Sequence, residues 1–247
     1  MEWKTSITSI QNGKELVRGY DLHELIQKSD FVSAIFLVLR GELPNERERR
    51  MLNALFTAAI DHGVGVSSAL TARTVISTGN SMHTALAAGI LAMGTLHGSA
   101  IEGAAHFFQE HILCDDIETL IHDVRHRKMR IPGYGHKILQ DDPRAHALFA
   151  VAKETGHFGK YCSFALTVRD ALNVVSSKPL PLNVDGAMAA IISDMGFDAR
   201  CAKGFFIIGR VPGLVAHIFE EMTGEHGLRR LSEDETIYEG VPERPYL

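Results

Sequence analysis

The 247-residue chain is predicted to fold as a nearly all-α protein, on three observations. Apolar residues recur at helical spacing through almost all of the chain from about residue 21 to residue 223. Helix start and stop signals punctuate that pattern, such as Asn45 with Glu48, and Asp142 ahead of Pro143. Period-two alternation is confined to residues 4–20, about Asn12-Gly13, the dipeptide of a two-residue hairpin turn. That N-terminal β-hairpin is the only sheet expected, so helix should stand well above its usual share.

Residues 21–40 read as two short helices split near Ser29-Asp30, and Gly41-Glu42-Leu43-Pro44 as a turn. The Asn45/Glu48 capping box opens a helix to about Asp61. Ser67-Ser68 starts the next, which carries Arg73 and ends near Thr78-Gly79-Asn80; Arg73, in a mostly apolar helix, is expected in a structural ion pair. Residues 81–93 are apolar nearly all round, which predicts a central helix, closely packed through its many Ala and Gly. Gly94 to Gly98 interrupts it, and a helix resumes through Glu102 to about His111. Further helices are expected at 115–128, 145–156 and 159–177, with Lys178-Pro179-Leu180-Pro181 as a stiff linker. A small-residue helix follows Asn183-Val184-Asp185-Gly186 to about Met195-Gly196. Two helices, 200–209 and 213–223, flank Gly209-Arg210-Val211-Pro212, and the tail 227–247 is polar.

With 45% apolar residues the chain can bury a sizeable core. A net charge of -5 argues against a general nucleic-acid binder, and means that an anionic ligand must be held by local arginines. Cys114, Cys162 and Cys201 are odd in number and show no Cys-x-x-Cys spacing, which points to reduced thiols, a cytoplasmic protein and no zinc site. Met1-Glu2-Trp3-Lys4 leads into no apolar h-region, so no signal peptide is expected. The longest apolar stretch, Ala85 to Leu96, is too short to span a bilayer, so no membrane association is expected.

The stretch most suited to chemistry is Ile131-Pro132-Gly133-Tyr134-Gly135-His136-Lys137, running on to Asp142-Pro143-Arg144. Arg125, Arg127, Lys128 and Arg130 lead into it, and its glycines let backbone approach a ligand closely. Arg144, in the first turn of a helix, is unfavourable for the helix dipole and so points to another use. His97, His136 and Asp185 each lie at a break in an apolar context. A His at a helix break is commonly a cap, and an Asp before Gly commonly a turn. Three such sites, with several awkward arginines, favour a shared function. A carboxyl raised by apolar surroundings and two neutral His donors suit proton transfer next to a carbonyl. Arg210, between apolar runs, demands a partner, best a carboxylate. A phosphate-binding Gly-x-x-x-x-Gly-Lys, a dinucleotide fingerprint after a strand and a His-Glu-x-x-His are all missing, and His83, His217 and His226 read as structural.

At these residues the sequence resembles the citrate synthase superfamily. Gly133-Tyr134-Gly135-His136-Lys137-Ile138-Leu139-Gln140-Asp141-Asp142-Pro143-Arg144 looks like the family signature. In order along the chain, Val17-Arg18-Gly19-Tyr20, Gly41-Glu42-Leu43-Pro44, Asp61-His62, Thr78-Gly79, Leu96-His97-Gly98, Asn183-Val184-Asp185, Gly209-Arg210 through His217, and Arg244-Pro245 resemble further family segments. The resemblance implies a citrate synthase-like fold with large and small helical domains, residues 1–96 with 193–247 and residues 97–192. It implies Asp185 as acid or base at the acetyl methyl, His97 as donor to the thioester oxygen, and His136 at the carbonyl or hydroxyl of the four-carbon acid. It assigns His62, Arg144 and Arg210 to the carboxylates of a small di- or tricarboxylate. Arg244 is to reach a neighbouring active site in a homo-oligomer, a dimer or multiple of dimers. Arg127, Lys128, Arg130, Ile131, Gly133, Tyr134 and Gly135 are implied to face coenzyme A, a substrate thioester, with no permanently bound cofactor and no metal.

Three departures narrow the resemblance. Only one helix joins Pro44 to Asp61, where full-length synthases carry a block of helices. Gly186 follows Asp185 where synthases usually have an aromatic residue, and Gly63-Val-Gly-Val-Ser-Ser replaces a polar run. These features look more like citryl-CoA lyase, as a free-standing enzyme or as the terminal module of ATP-citrate lyase. Such relatives do not all keep a His at the position of His97. The expected function is therefore cleavage of citryl-CoA to acetyl-CoA and oxaloacetate through a thioester enolate. The alternatives are a compact citrate or 2-methylcitrate synthase, and a non-catalytic assembly subunit that kept the fold.

Overall fold

The computed structural model describes residues 2–98, 100–135, 141–224 and 227–246. Strands β1 (Thr8–Gln11), β2 (Lys14–Val17) and β3 (Tyr20–Asp21) form an antiparallel sheet in that order, with Thr8 opposite Val17 and Leu16 opposite Asp21. Asn12 (φ 52°) and Gly13 (φ 74°) make the expected turn. The third strand was not expected. It exists because Arg18 (φ 50°) and Gly19 (φ 87°) make a second turn with both residues left-handed. Arginine is a poor advertisement for that conformation. Here its guanidinium donates to the Val38 carbonyl at 2.8 and 3.1 Å, which holds the turn in place.

Eleven helices follow among the described residues: α1 (Leu22–Lys28), α2 (Phe31–Arg40), α3 (Glu46–Ala59), α4 (Ser67–Ser77), α5 (Met82–Leu91), α6 (Ala100–His111), α7 (Ile117–His126), α8 (Pro143–Thr155), α9 (Lys160–Val175), α10 (Val184–Asp194) and α11 (Ala202–Thr223). The class is the nearly all-α one expected, and the local signals account for most starts. Asp30 caps α2, the Asn45/Glu48 capping box opens α3, and Asp142 caps α8 with Pro143 at its first position.

Two expectations fail. The span 200–223 is not two helices, because α11 runs through Pro212. Proline costs a helix one hydrogen bond and crowds the preceding turn, but the long apolar run on both sides carries the helix across. Residues 199–223 are consequently long and apolar enough to cross a membrane by length and composition, with 44% of the most apolar window buried within the protein. Second, α5 is not central: only Ala85 and Gly89 are buried, and Leu91 is 84% exposed. Its small face packs on α4, where a Cβ on Gly89 would lie 3.0 Å from the Ser68 carbonyl oxygen and 3.3 Å from Leu214 Cδ1.

By contact the chain forms two compact units, residues 1–61 with 94–211, and residues 62–93 with 212–247. These boundaries differ from the 1–96/193–247 and 97–192 division. In the first unit α10 is the central helix. It buries Val184 and every residue from Gly186 to Ser193, and packs on α6, α8 and α9. A chain of aromatic rings, Phe36–Phe197–Phe205–Phe56, joins the segment after α10 to α2 and α3 at centroid distances of 5.8, 4.8 and 6.1 Å. Residues 193–211 fall with residues 97–192 because Gln109 on α6 donates to Ser193 Oγ at 3.0 Å and to the Phe197 carbonyl at 2.9 Å, and accepts from Ala199 N–H at 3.2 Å.

In the second unit α4 and α5 pack together, and Glu221 binds two arginines. Arg73 Nε lies 2.6 Å from Glu221 Oε2 and Arg229 Nε 2.6 Å from Oε1. Arg73 is thus in the structural ion pair expected of it.

Candidate functional site

The site is built at the N-terminus of α10. Asn183 is the N-cap, its side chain accepting from Gly186 N–H at 3.1 Å, which sets Asp185 in the first turn. The glycine loop 131–135 is tied to the same point. Asn183 N–H donates to the Gly133 carbonyl and Asn183 Nδ2 to the Gly135 carbonyl, both at 3.0 Å, while Gly135 N–H donates to the Pro181 carbonyl at 2.8 Å. Gly133 and Gly135 both take φ of +88°, out of reach of most side-chain-bearing residues. Gly186 is glycine because the loop leaves no room: a Cβ there would lie 2.5 Å from the Gly133 oxygen and 2.5 Å from Leu182 Cδ1.

Charge is concentrated around Asp185. Burial pushes its carboxyl up from the ordinary carboxylate range; Arg144 and Arg210 oppose the shift and Asp142 adds to it. Arg144 projects from the first turn of α8 and pairs with Asp142, at 3.0 Å from Nε to Oδ1 and 2.9 Å from Nη2 to Oδ2. Asp142 is wholly buried; burial works against its charge, but its bonds from Arg144 and from Val184 N–H outweigh that and hold its carboxyl low. Arg210 is 3% exposed and donates from Nε to the Ala59 carbonyl at 2.7 Å. Its Nη1 is buried with no hydrogen-bond partner among the described residues. Burial lowers the Arg210 pKa, while Asp61 and Asp185 favour its charge. A buried guanidinium nitrogen without an acceptor, beside a carboxyl that resists ionisation, is a receptor for an anionic oxygen.

His97 belongs to the same unit, in the turn after α5, where its N–H closes back on the Gly94 carbonyl at 2.9 Å. The Phe206 ring meets the His97 imidazole edge-on, centroids 6.5 Å apart, and carries the Arg210 guanidinium 4.9 Å from its centre. One aromatic ring therefore brings His97 and Arg210 together, and Arg210 and Arg144 flank Asp185. An imidazole, a carboxyl and two guanidiniums of this kind can hold a carboxylate and move a proton near a carbonyl.

Beside the glycine loop lies a cleft of about 500 Å³, lined by Arg125, Arg130, Ile131, Tyr134 and Gly135, with Leu172, Val175 and Leu180 opposite. Arg127 and Lys128 are exposed outside that lining, and Gly133 is buried against Gly186. Tyr134 spends its hydroxyl on the Ala165 carbonyl at 2.8 Å, and burial raises its pKa. His62 and Arg244 fall in the second unit, both exposed, Arg244 in the C-terminal tail. His136 lies outside the described residues. No cluster of three or more His, Cys, Asp or Glu able to hold a metal occurs among the described residues.

Sequence reasoning took Asp142 only as a cap, Asn183 only as part of a motif, and passed over Phe206. The spacing of Asp142 and Arg144, two apart at a helix start, was a usable signal for a self-contained pair. Phe206 gave none, since one aromatic in an apolar run looks like core.

Comparison with known proteins bears on this arrangement. Residues 45–231 match the family model described as citrate synthase, C-terminal domain. Citrate synthase 2 of Bacillus subtilis is 30% identical over 194 residues, 77% of this chain and 52% of that protein. A putative citrate synthase 2 of Mycobacterium tuberculosis is 27% identical over 87% of this chain and 58% of its own length. The chain thus spans a little over half the length of these relatives. Among solved structures, citryl-CoA lyase from Hydrogenobacter thermophilus superposes with a TM-score of 0.93 at 46% identity, covering 99% of this chain and 97% of that one. ATP citrate lyase from Methanothrix soehngenii, solved with citrate and coenzyme A, superposes at 0.84 over 98% of this chain and 42% of its own, and at 24% identity shares the fold.

Proposed function

The chain belongs to the citrate synthase family, and from that premise we propose that it is a citryl-CoA lyase, cleaving citryl-CoA to acetyl-CoA and oxaloacetate. The observation that carries the choice within the family is the 46% identity to a citryl-CoA lyase over nearly the whole of both chains.

In this reading Asp185 or His136 takes the proton of the citryl hydroxyl. The C–O bond becomes the oxaloacetate carbonyl, the adjacent C–C bond breaks, and its electron pair passes to the thioester as an enolate. His97 donates an N–H to the enolate oxygen, and Asp185 protonates the methylene carbon to give acetyl-CoA. A carboxyl kept protonated by burial suits that last step. Arg210, through its unpartnered Nη1, and Arg144 hold the carboxylates of the four-carbon acid, with His62, and with Arg244 from a neighbouring copy. Coenzyme A occupies the cleft of Arg125, Arg130, Ile131, Tyr134 and Gly135, with Arg127 and Lys128 outside it and Gly133 shaping the loop. It enters as a substrate thioester; no bound cofactor, nucleic acid or membrane is needed. A homo-oligomer is supported by α5, an apolar helix that among the described residues buries only Ala85 and Gly89 and leaves Leu91 84% exposed. The closing bodies 1–96/193–247 and 97–192 and a cytoplasmic location are proposed with it.

Incubation with citryl-CoA in a coupled assay for oxaloacetate tests the reading, and no oxaloacetate released ends it. A compact synthase is the second reading, favoured by relatives named as citrate synthases. Condensation of acetyl-CoA or propionyl-CoA with oxaloacetate faster than cleavage would select it.

A further inference from the structure

Helices α8 and α10 meet at one side chain. Asp142 is 0% exposed and accepts four hydrogen bonds. Its Oδ1 takes Arg144 N–H at 3.1 Å and Nε at 3.0 Å; its Oδ2 takes Arg144 Nη2 at 2.9 Å and Val184 N–H at 2.9 Å. Only the first of these is needed to cap α8. A serine or asparagine caps as well without the cost of burying a charge. The other three bonds have a different consequence. They lock a guanidinium on α8 and the first helical N–H of α10 onto the same carboxylate, one residue ahead of Asp185.

We infer that Asp142 is a positioning residue for the proton-transfer step: it fixes Arg144 and the first turn of α10 in one frame, so that the substrate carboxylate and the Asp185 carboxyl meet at a set distance. This inference rests on the reading of Asp185 as the proton-transfer group. Asp142 touches neither substrate nor reacting atoms and acts through Arg144 and Val184. Its charge acts as well. The charged groups that face Asp185 are Arg144 from α8, Arg210 from α11 and Asp142 from the turn ahead of α8; among the described residues α6 and α9 contribute none. Burial raises the Asp185 carboxyl, and the two cations pull it back towards ionisation. Asp142 opposes them directly, as a like charge, and indirectly, by neutralising Arg144. A proton on Asp185 is then available when the enolate forms.

Asp142→Ser and Asp142→Asn separate this role from capping, since both side chains still cap α8 and neither carries charge nor grips a guanidinium by two oxygens. The titration of the Asp185 carboxyl is followed by carbon NMR, assigned by its loss in Asp185→Asn, and oxaloacetate binding is measured alongside. The expected result in both variants is an Asp185 carboxyl that titrates at lower pH than in the parent protein. The Kd for oxaloacetate should also rise about tenfold or more, on the scale of a lost charge-assisted contact. The Ser variant keeps the cap, so it remains informative if the Asn variant does not fold. Parent-like titration and binding in the Ser variant would overturn the inference and leave Asp142 a cap. The titration needs no substrate. A parent protein that cleaves no citryl-CoA would therefore defeat the activity reading, while the Asp142 result is read separately.

Discussion

Gly186→Ala is the sharpest test of how the site is assembled. The added methyl would lie 2.5 Å from the Gly133 oxygen and 2.5 Å from Leu182 Cδ1, each about 0.9 Å short of the 3.4 Å where ordinary contact begins. Leu182 is a buried side chain and can yield by rotating. The Gly133 oxygen is backbone and already accepts from Asn183 N–H at 3.0 Å, so it yields only if the loop lifts and that bond stretches. Overpacking of this kind costs about 1–3 kcal/mol and the weakened hydrogen bond about 1 kcal/mol, together about 2–4 kcal/mol. For a chain of this length that is a fall in Tm of about 4–16 °C. The lifted loop also carries the cleft of Arg130, Tyr134 and Gly135 away from Asp185 by about 1 Å, a displacement that can cost on the order of a hundredfold in rate. Calorimetry and the citryl-CoA assay read the two effects. Gly204→Ala on α11, where nothing lies within 4 Å, is the control and should stabilise by up to about 1 kcal/mol. A Gly186→Ala protein that melts within about 1 °C of its parent and binds coenzyme A normally would refute the claim that loop and helix are welded there.

Three further results are expected. Arg210→Lys keeps a charge but loses the guanidinium fork whose Nη1 is unpartnered; the stabilisation of the fold by oxaloacetate should fall in line with a roughly 10–100-fold weaker Kd, and an unchanged thermal shift would remove Arg210 from the site. Asp185→Asn should abolish cleavage and raise stability at neutral pH. The native carboxyl is raised by burial, so the folded state binds its proton more tightly than the unfolded one. Its contribution is present in full below the ordinary aspartate value of 3.8 and lost as pH climbs through the raised value in the fold. Denaturation of the two proteins should converge as pH approaches about 4, and a variant no more stable at about pH 7 would contradict the burial. Glu221→Gln leaves Arg73, 7% exposed, without its buried partner and should cost about 3–5 kcal/mol, read by urea denaturation. The Glu221 carboxyl is held low by Arg229 and Arg73 against the effect of burial, so the difference between parent and variant should be full above the ordinary glutamate value of 4.5 and shrink as pH falls below it; a constant difference down to about pH 2 would exclude the ionic account.

How far the sequence alone reaches is seen by taking residues one at a time. Asn45 with Glu48, and Asp142 ahead of Pro143, marked helix starts that α3 and α8 adopt. These are bonds within four residues, so they leave a local signature. The glycine loop, Arg144, Arg210 and Asp185 stood out because each was a costly residue in its place, and His97 because it broke an apolar run. The third strand, the continuity of α11 and the surface position of α5 did not stand out. Arg18 is held left-handed by a carbonyl twenty residues on, and α5, though apolar nearly all round, buries only Ala85 and Gly89 among the described residues.

By itself, then, the sequence determined the helical class, most helix starts and the set of residues too expensive to be there for packing alone, because propensity, capping and periodicity act over a few neighbouring positions. Only the tertiary structure decided which of those residues meet. That Asp142 serves α8 and α10 at once, that Phe206 joins His97 to Arg210, and that Gly186 is bare because Gly133 sits against it are consequences of contacts between segments far apart in the chain. Such contacts depend on how helices pack, and no spacing along the chain encodes them.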